Sequence, residues 1–503
     1  MEPAKRIVIN TFAQYSKSVI NTCLSLYTVR LVLAALGQSD YGIFNLIAGI
    51  IAMIGFITNA LVITTQRYLS YYQGKEDGRK VQLFFSNSIL LHFAISIVLS
   101  IVFLCLMDYL CMDYLNIEDT RRETAKFVYL MSVCILFITF MSAPFKALFI
   151  AHENIVYISV IEVIDGILKL ILALTLLHLE YDKLKIYACI MMFIVLFQFV
   201  TFVVYAVLRF KECRLTQVFA NCDRGCMKEL MGFATWTTYG MGAIICRQQG
   251  LAILINKFFG TVYNASYGIA NQIYGALSFI VTSIVNAMNP QIMRAEGQHN
   301  RQQMFHLAEQ ESKSIVSIMA LIFIPLIFEM ENVLHVWLGE VPVYAVFFSQ
   351  CIFITFLIDQ VTYGLHSAAQ AIGQIRNYTI LMYTPKLLSL IAFWMILQTN
   401  GSIEQVMYCY IFIEAMVAIM RLPYLHKTAG LDIHHFISSV LLRLLPLIII
   451  LIILSYLQQY IWNSKYRFFL TIPAIVLVGG ITAWFSTFTP QERNTVIHFI
   501  KKK

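Results

Sequence analysis

Fourteen apolar runs, each long enough to cross about 30 Å of hydrocarbon, divide this chain of 503 residues. They lie at approximately 8–36, 42–66, 82–107, 127–150, 154–178, 186–208, 231–256, 262–289, 314–330, 343–370, 377–397, 403–420, 436–458 and 468–488. In hydrocarbon every backbone N–H and C=O must be bonded within the protein, which leaves only helices and closed barrels. Uninterrupted runs of this length, without the alternation of a barrel strand, select the helix. The expected fold class is therefore an all-α polytopic membrane protein with about 14 transmembrane helices. Composition agrees: 59% of residues are hydrophobic and 13% charged, where a soluble domain carries about 25% charge. The opening MEPAKRIVINTFAQYSKS lacks a compact apolar stretch and a small-residue cleavage site, so no cleavable signal peptide is expected.

Charge placement predicts an orientation. With the N-terminus inside and fourteen crossings, both termini are cytoplasmic, and the inside segments hold most of the 36 Lys and Arg. They include Arg67, Lys75, Arg79 and Lys80, the segment from Arg209 to Lys228, and Lys501, Lys502 and Lys503. This is the positive-inside asymmetry, and it accounts for the formal charge of +8 without nucleic acid as a partner. Basic residues left inside spans include Lys17, Arg30, Lys169, Arg247, Lys386 and Arg443. The cysteines form no zinc spacing, so neither metal nor cofactor is expected. Cys105 and Cys111 are near enough in sequence to pair.

The first span carries a polar seam. Asn10, Gln14, Lys17, Asn21, Ser25 and Thr28 recur every three or four residues and fall within an arc of roughly 80° on a helix. An unpaired cation near the bilayer centre costs at least about 2.5–3.5 kcal/mol, so this face must look into protein or water. A cationic interior suits an anionic cargo. Arg30 lies about 180° from Asn21, and snorkelling to the interface explains it better.

An internal repeat organises the chain. Tyr41-Gly42-Ile43-Phe44-Asn45 returns as Tyr267-Gly268-Ile269-Ala270-Asn271, each copy after a Gly-containing turn, Leu36-Gly37 or Phe259-Gly260. Arg67 and Arg294 close the two copies. An offset of six spans preserves membrane orientation, which makes the repeats parallel. The expected division is an N-terminal lobe (1–210), a C-terminal lobe (211–430) and an added pair of spans (431–503). Residues 209–230 form the join, with an interfacial amphipathic helix as one reading.

Leu36-Gly37 followed by Asp40-Tyr41-Gly42-Ile43 and Asn45, the run Gln66-Arg67-Tyr68-Leu69-Ser70, and the turn Ala151-His152-Glu153-Asn154 resemble bacterial polysaccharide exporters. These belong to the multidrug/oligosaccharidyl-lipid/polysaccharide superfamily, and the likeness is greatest to Wzx-type flippases for O-antigen or capsule units. The resemblance implies two pseudo-symmetric six-helix lobes, a central cavity lined by spans one, two, seven and eight, and no enzymatic activity. It also implies a cargo of undecaprenyl-pyrophosphate-linked oligosaccharide, membrane lipids as surroundings, and polysaccharide polymerase and glycosyltransferases as partners in the inner membrane.

The site residues follow from that layout and from residue chemistry. Lys17 and Arg247 suit a pyrophosphate, and Asn21, Asn59, Gln248, Asn271 and Asn286 suit sugar hydroxyls. The same amides also bond helix to helix in membranes, and that reading stays open. Arg67 and Arg294 are placed for a collar at the cytoplasmic mouth, or as ordinary anchors. Asp359, Tyr363, His366 and Gln370 would share one face of span ten, with Asp359 and His366 as an ion-coupling pair. Glu414 is a second coupling candidate. Glu162, Asp165 and Lys169 read as a self-neutralising cluster with an i,i+4 pair. Pro385 is expected to break span eleven, and neither Lys386 nor Arg443 gains a transport role. A cation-driven drug exporter would place carboxylates in the first span, where this chain has Lys17. A membrane polymerase or glycosyltransferase would need a large outer domain, and the longest outer loop, about 108–126, is too short.

Overall fold

The computed structural model describes residues 3–52, 54–114, 119–178, 180–338, 340–461, 466–490 and 493; the terminal Lys501, Lys502 and Lys503 lie outside them. The described part of each of the fourteen apolar runs is helical apart from short turns. Among the described residues ten helices are long and apolar enough to cross a membrane, and a bent pair makes an eleventh. The runs at 42–66, 154–178 and 231–256 are not among them. Large apolar side chains such as Ile101, Val204, Ile453, Leu477 and Phe485 are exposed, a surface suited to lipid.

The chain forms two compact units, Val8–Thr238 and Tyr239–Lys503, the latter taking in Met1–Ile7. The first contains α1 (Pro3–Ala52), α2 (Gly55–Gly74), α3 (Gly78–Asp108), α4 (Arg122–Ala151), α5 (Ile155–Leu176), α6 (Lys183–Arg209) and the start of α7 (Arg224–Phe259). Asp77 caps α3 by accepting from the Lys80 N–H at 3.0 Å, and Asp182 caps α6, each satisfying a donor that the first turn leaves free. Helix α4 packs on α2, α3 and α6, and α5 on α6, around buried Phe140, Phe149 and Phe202. The expected join at 209–230 is a loop with a single 3-10 turn at Leu215–Gln217, then α7 from Arg224. The division between units falls further on, inside α7.

The second unit repeats this packing. It holds α8 (Thr261–Gly297), α9 (Arg301–Leu338), α10 (Ala345–Val361), α11 (Tyr363–Ile372), α12 (Ile375–Gln398) and α13 (Ile403–Ala429). Helices α10 and α11 take the part of α4, touching α8, α9 and α13, while α12 packs on α13 as α5 does on α6. Ser402 and Gln405 form a capping box at the start of α13. After the short α14 (Ile433–Phe436), α15 (Leu442–Ile461) and α16 (Phe468–Ser486) pack against α9. They do so through Leu447, Leu451, Ile475 and Ala483 against Ala320 and Ile324.

The repeat is also written in the backbone. Gly37 adopts φ 77°, ψ 171° and Gly260 φ 86°, ψ −175°. This region is essentially reserved for glycine, and it turns the chain sharply between the first and second helical segments of each unit.

Several sequence expectations change. Span two is not one helix: α1 ends at Ala52 and α2 starts at Gly55, with the Ile54 N–H on the Ile51 carbonyl at 3.2 Å and the Ile57 N–H on the Ile54 carbonyl at 2.9 Å. Such three-residue bonds tighten a turn that the poor helix former Gly55 does not resist. Span ten breaks at Thr362, where α10 and α11 meet at a 47° bend. Pro385, expected to end span eleven, sits inside the continuous α12, as membrane helices tolerate. All eleven cysteines are free, so Cys105 and Cys111 are not joined.

Candidate functional site

Each unit encloses an ionic cluster built on one carboxylate that holds two cations from other helices. In the first unit the carboxylate is Glu162 on α5. Its Oε2 accepts from Lys17 Nζ on α1 at 2.6 Å, and its Oε1 accepts from Lys146 Nζ on α4 at 2.7 Å. Asn21 donates to the Glu162 carbonyl at 3.2 Å, so two residues of the first-span seam meet α5 here. Gly166, one turn on, lies so close that a Cβ there would stand 2.9 Å from the Asn21 Oδ1. Asp165 and Lys169 make the expected i,i+4 pair at 2.7 Å. The cluster is only partly closed: the side chains of Lys17, Glu162 and Lys146 are 21%, 19% and 41% exposed.

In the second unit the carboxylate is Glu414 on α13. Its Oε2 accepts from Arg247 Nη1 on α7 at 2.6 Å, and Lys386 on α12 donates to its Oε1. Lys386 also reaches Asp359 Oδ1 at 3.4 Å, and Arg421 donates to that same oxygen at 2.6 Å. Arg247 lies over the Tyr410 ring at 4.4 Å, a cation–π contact strengthened by dryness. Side-chain exposures of Arg247, Glu414, Lys386 and Arg421 run from 3% to 6%. Arg421 has a second task. It donates to the Asp359 carbonyl at 3.0 Å and to Thr362 Oγ1 at 3.1 Å, supplying partners where the α10–α11 break removes helical ones.

The remaining sequence-predicted residues are distributed as follows. Gln248 donates to Asn271 Oδ1 at 2.9 Å, tying α7 to α8. Asn59 is exposed and Asn286 half-buried. Arg67 is buried at 6% among the rings of Tyr68, Tyr71 and Phe233, 4.5–5.5 Å away; Arg294 is half-buried at the end of α8. Asp359 and His366 share no hydrogen bond. The bend puts them on different helices, and His366 Nδ1 pairs with the Tyr378 hydroxyl at 3.1 Å while its Nε2 pairs with Gln370 at 3.0 Å. Glu162 is neutralised by Lys17 and Lys146 and not by Lys169. Lys146 and Arg421 are the groups that sequence reasoning missed, and Lys386 is one that it discounted. A cavity of about 680 Å³ in the second unit is lined by other residues, among them Arg301, His306, Glu309, Asp432 and His435. Among the described residues no group of His, Cys, Asp and Glu is placed to hold a metal ion.

This architecture is that of a multi-pass helical membrane protein. The outward-facing structure of a multidrug resistance MATE family transporter of the MOP superfamily superposes with TM-score 0.72 at 13% identity, covering 86% of this chain and 96% of its own. MATE in the bent conformation gives 0.74 at 15%, covering 86% and 98%. A MOP superfamily transporter from Pyrococcus furiosus, whose binding pocket of reverse polarity suggests a different function, gives 0.70 at 13%, covering 86% and 96%. The chain thus has the fold of the multidrug/oligosaccharidyl-lipid/polysaccharide superfamily, the superfamily its motifs resemble. No family model matches the sequence. A putative O-antigen transporter from Salmonella typhi is 20% identical over 288 residues, 57% of this chain and 64% of that relative. The match therefore spans less than two thirds of the relative's length.

Proposed function

We propose that this chain is a flippase that carries an undecaprenyl-pyrophosphate-linked oligosaccharide across the bacterial inner membrane by alternating access, with both termini cytoplasmic. One observation carries the reading: the partly open cluster of the first unit sets three cations, Lys17, Lys146 and Lys169, against two carboxylates, Glu162 and Asp165. A surplus positive charge with access to solvent suits a pyrophosphate, whose charge hydrocarbon would repel. Lys17 and Lys146 are the pair that would exchange Glu162 for the cargo's phosphates. Amides such as Asn59 and Asn286 suit the sugars. The likeness to a putative O-antigen transporter supports the same cargo class. The partner enzymes would be the glycosyltransferases and polymerase that make and use such a cargo.

A second reading, a cation-coupled drug exporter, is favoured by the MATE likenesses. It needs a carboxylate open to a cation, and within the two ionic clusters Glu162, Glu414 and Asp359 are each already bridged by two.

Complementation of a deletion strain tests the proposal. Lys17→Ala and Lys146→Ala should each abolish surface glycan while the protein stays in the membrane. Normal glycan from both variants would sink the pyrophosphate reading, and drug sensitivity in the deletion strain would favour the exporter. For the orientation, a variant keeping only Cys222, an exposed residue of the 209–230 join, should label from the cytoplasmic side alone.

A further inference from the structure

Glu311 stands apart from both ionic clusters. It lies in α9, is 0% exposed, and neither carboxyl oxygen has a hydrogen-bond partner. The Ser367 hydroxyl approaches it from the facing helix α11; Ser367 is 1% exposed and its Oγ is also without a partner. The two helices meet here at very short range. A Cβ on Gly364 would stand 1.8 Å from the Ala308 carbonyl oxygen, and the Gly364 N–H donates to Ser312 Oγ at 3.0 Å. Helix α11 is also the short arm of the 47° bend, so its seat on α9 is made by a break in the helix.

The charges around Glu311 are spoken for. Along α9, Glu309 pairs with His435 at 3.6 Å and Glu329 with Arg467 at 2.7 Å. Lys313, two residues on, points about 200° away around the helix. On α8, Glu296 takes Arg301 at 3.4 Å. On α10, Asp359 holds Lys386 and Arg421, and on α11 His366 is bonded to Tyr378. Tyr363 of α11 is a titratable neighbour, and a phenol supplies no positive charge. A bare carboxylate in this seat would be left without solvation or a counter-charge, whereas a neutral carboxyl has a hydroxyl to offer Ser367.

We infer that Glu311 is a proton-binding site, occupied while α11 is seated on α9 and emptied when α11 lifts and water reaches the carboxylate. The step is a plain acid dissociation: the Glu311 O–H bond breaks, the proton passes to water, and the negative charge stays on the carboxylate. Each state of the α11 seat then selects one protonation state, which is what coupling to a proton gradient requires. The physiological use rests on reading the chain as a transporter; the proton site itself does not.

Infrared difference spectra of the full chain in lipid nanodiscs, between about pH 5 and pH 10, test it. The wild type should show a protonated-carboxyl band that disappears on raising the pH. E311Q should lack the band, and S367A should shift its frequency, because that hydroxyl is the carboxyl's polar neighbour. No titrating band in the wild type overturns the proposal, as does its survival in E311Q. Should E311Q not assemble, a band unmoved in S367A does the same. The measurement reads proton binding and not glycan export, so its failure leaves the cargo question separate.

Discussion

The two ionic clusters share a plan and differ in access. In each unit the first helix provides a cation, Lys17 or Arg247, to a carboxylate that also holds a lysine from a third helix, Lys146 or Lys386. The first cluster stays partly open, with Lys146 at 41% exposure. The second is sealed at 3–6% for Arg247, Glu414 and Lys386 and is extended by Asp359 and Arg421. Desolvation explains why the difference matters. A sealed charge must keep its partner, because losing it leaves an ion in a low-dielectric interior. A half-open charge can trade its partner for another anion, because water screens it meanwhile. The same plan thus yields a sealed knot in one unit and a pair open to solvent in the other.

That contrast is breakable. Glu414→Ala strands Arg247, leaves Lys386 with Asp359 alone and should cost about 3–5 kcal/mol, whereas Glu162→Ala should cost roughly 1 kcal/mol. Unfolding in detergent, followed by helix content, reads both, and equal losses would dissolve the distinction. Next in size are the turn glycines. Gly37→Ala and Gly260→Ala each force a side chain into a backbone region reserved for glycine and should each cost about 1–3 kcal/mol. A loss in one unit alone would mean that the two turns are not equivalent.

The smallest effect is in acid. On the loop of the first unit, the hydrogen bond from His152 holds the Glu212 carboxyl below its ordinary 4.5. In the second unit, backbone donation from His435 lowers Asp432 below 3.8. A carboxyl depressed on folding contributes stability above its unfolded value and loses it as pH falls through the folded one. Melting temperature should therefore fall on acidification, and Glu212→Gln should flatten that fall more than Asp432→Asn, whose site is open to water. A larger effect from Asp432 would reverse the ranking.

Much of this was legible in the sequence because hydrocarbon leaves the backbone few options. Run length located the helices, and the Tyr-Gly-Ile motif with its glycine turn located the repeat. Asp165 with Lys169 was legible because i,i+4 neighbours meet on any helix. The partners of Glu162 were not, since Lys17 and Lys146 reach it across 145 and 16 residues of chain. Lys386 was discounted because Pro385 suggested a break, yet the helix runs through it. The break that does occur, at Thr362, carries no proline; its one local sign is Gly364, which the packing on α9 requires. Arg421 lies one residue beyond the apolar run at 403–420, so run length gave no reason to place it inside a span, yet α13 continues to Ala429.

The turn at Gly260 joins α7, ending at Phe259, to α8, beginning at Thr261, through one residue, and Gly37 divides α1 in the same backbone state. A link one residue long has no slack. Whatever tilts the first helix of a unit is handed to the next within a single peptide, as at an elbow and not along a tether. The cation on the first helix and the Tyr-Gly-Ile segment on the second are therefore parts of one lever.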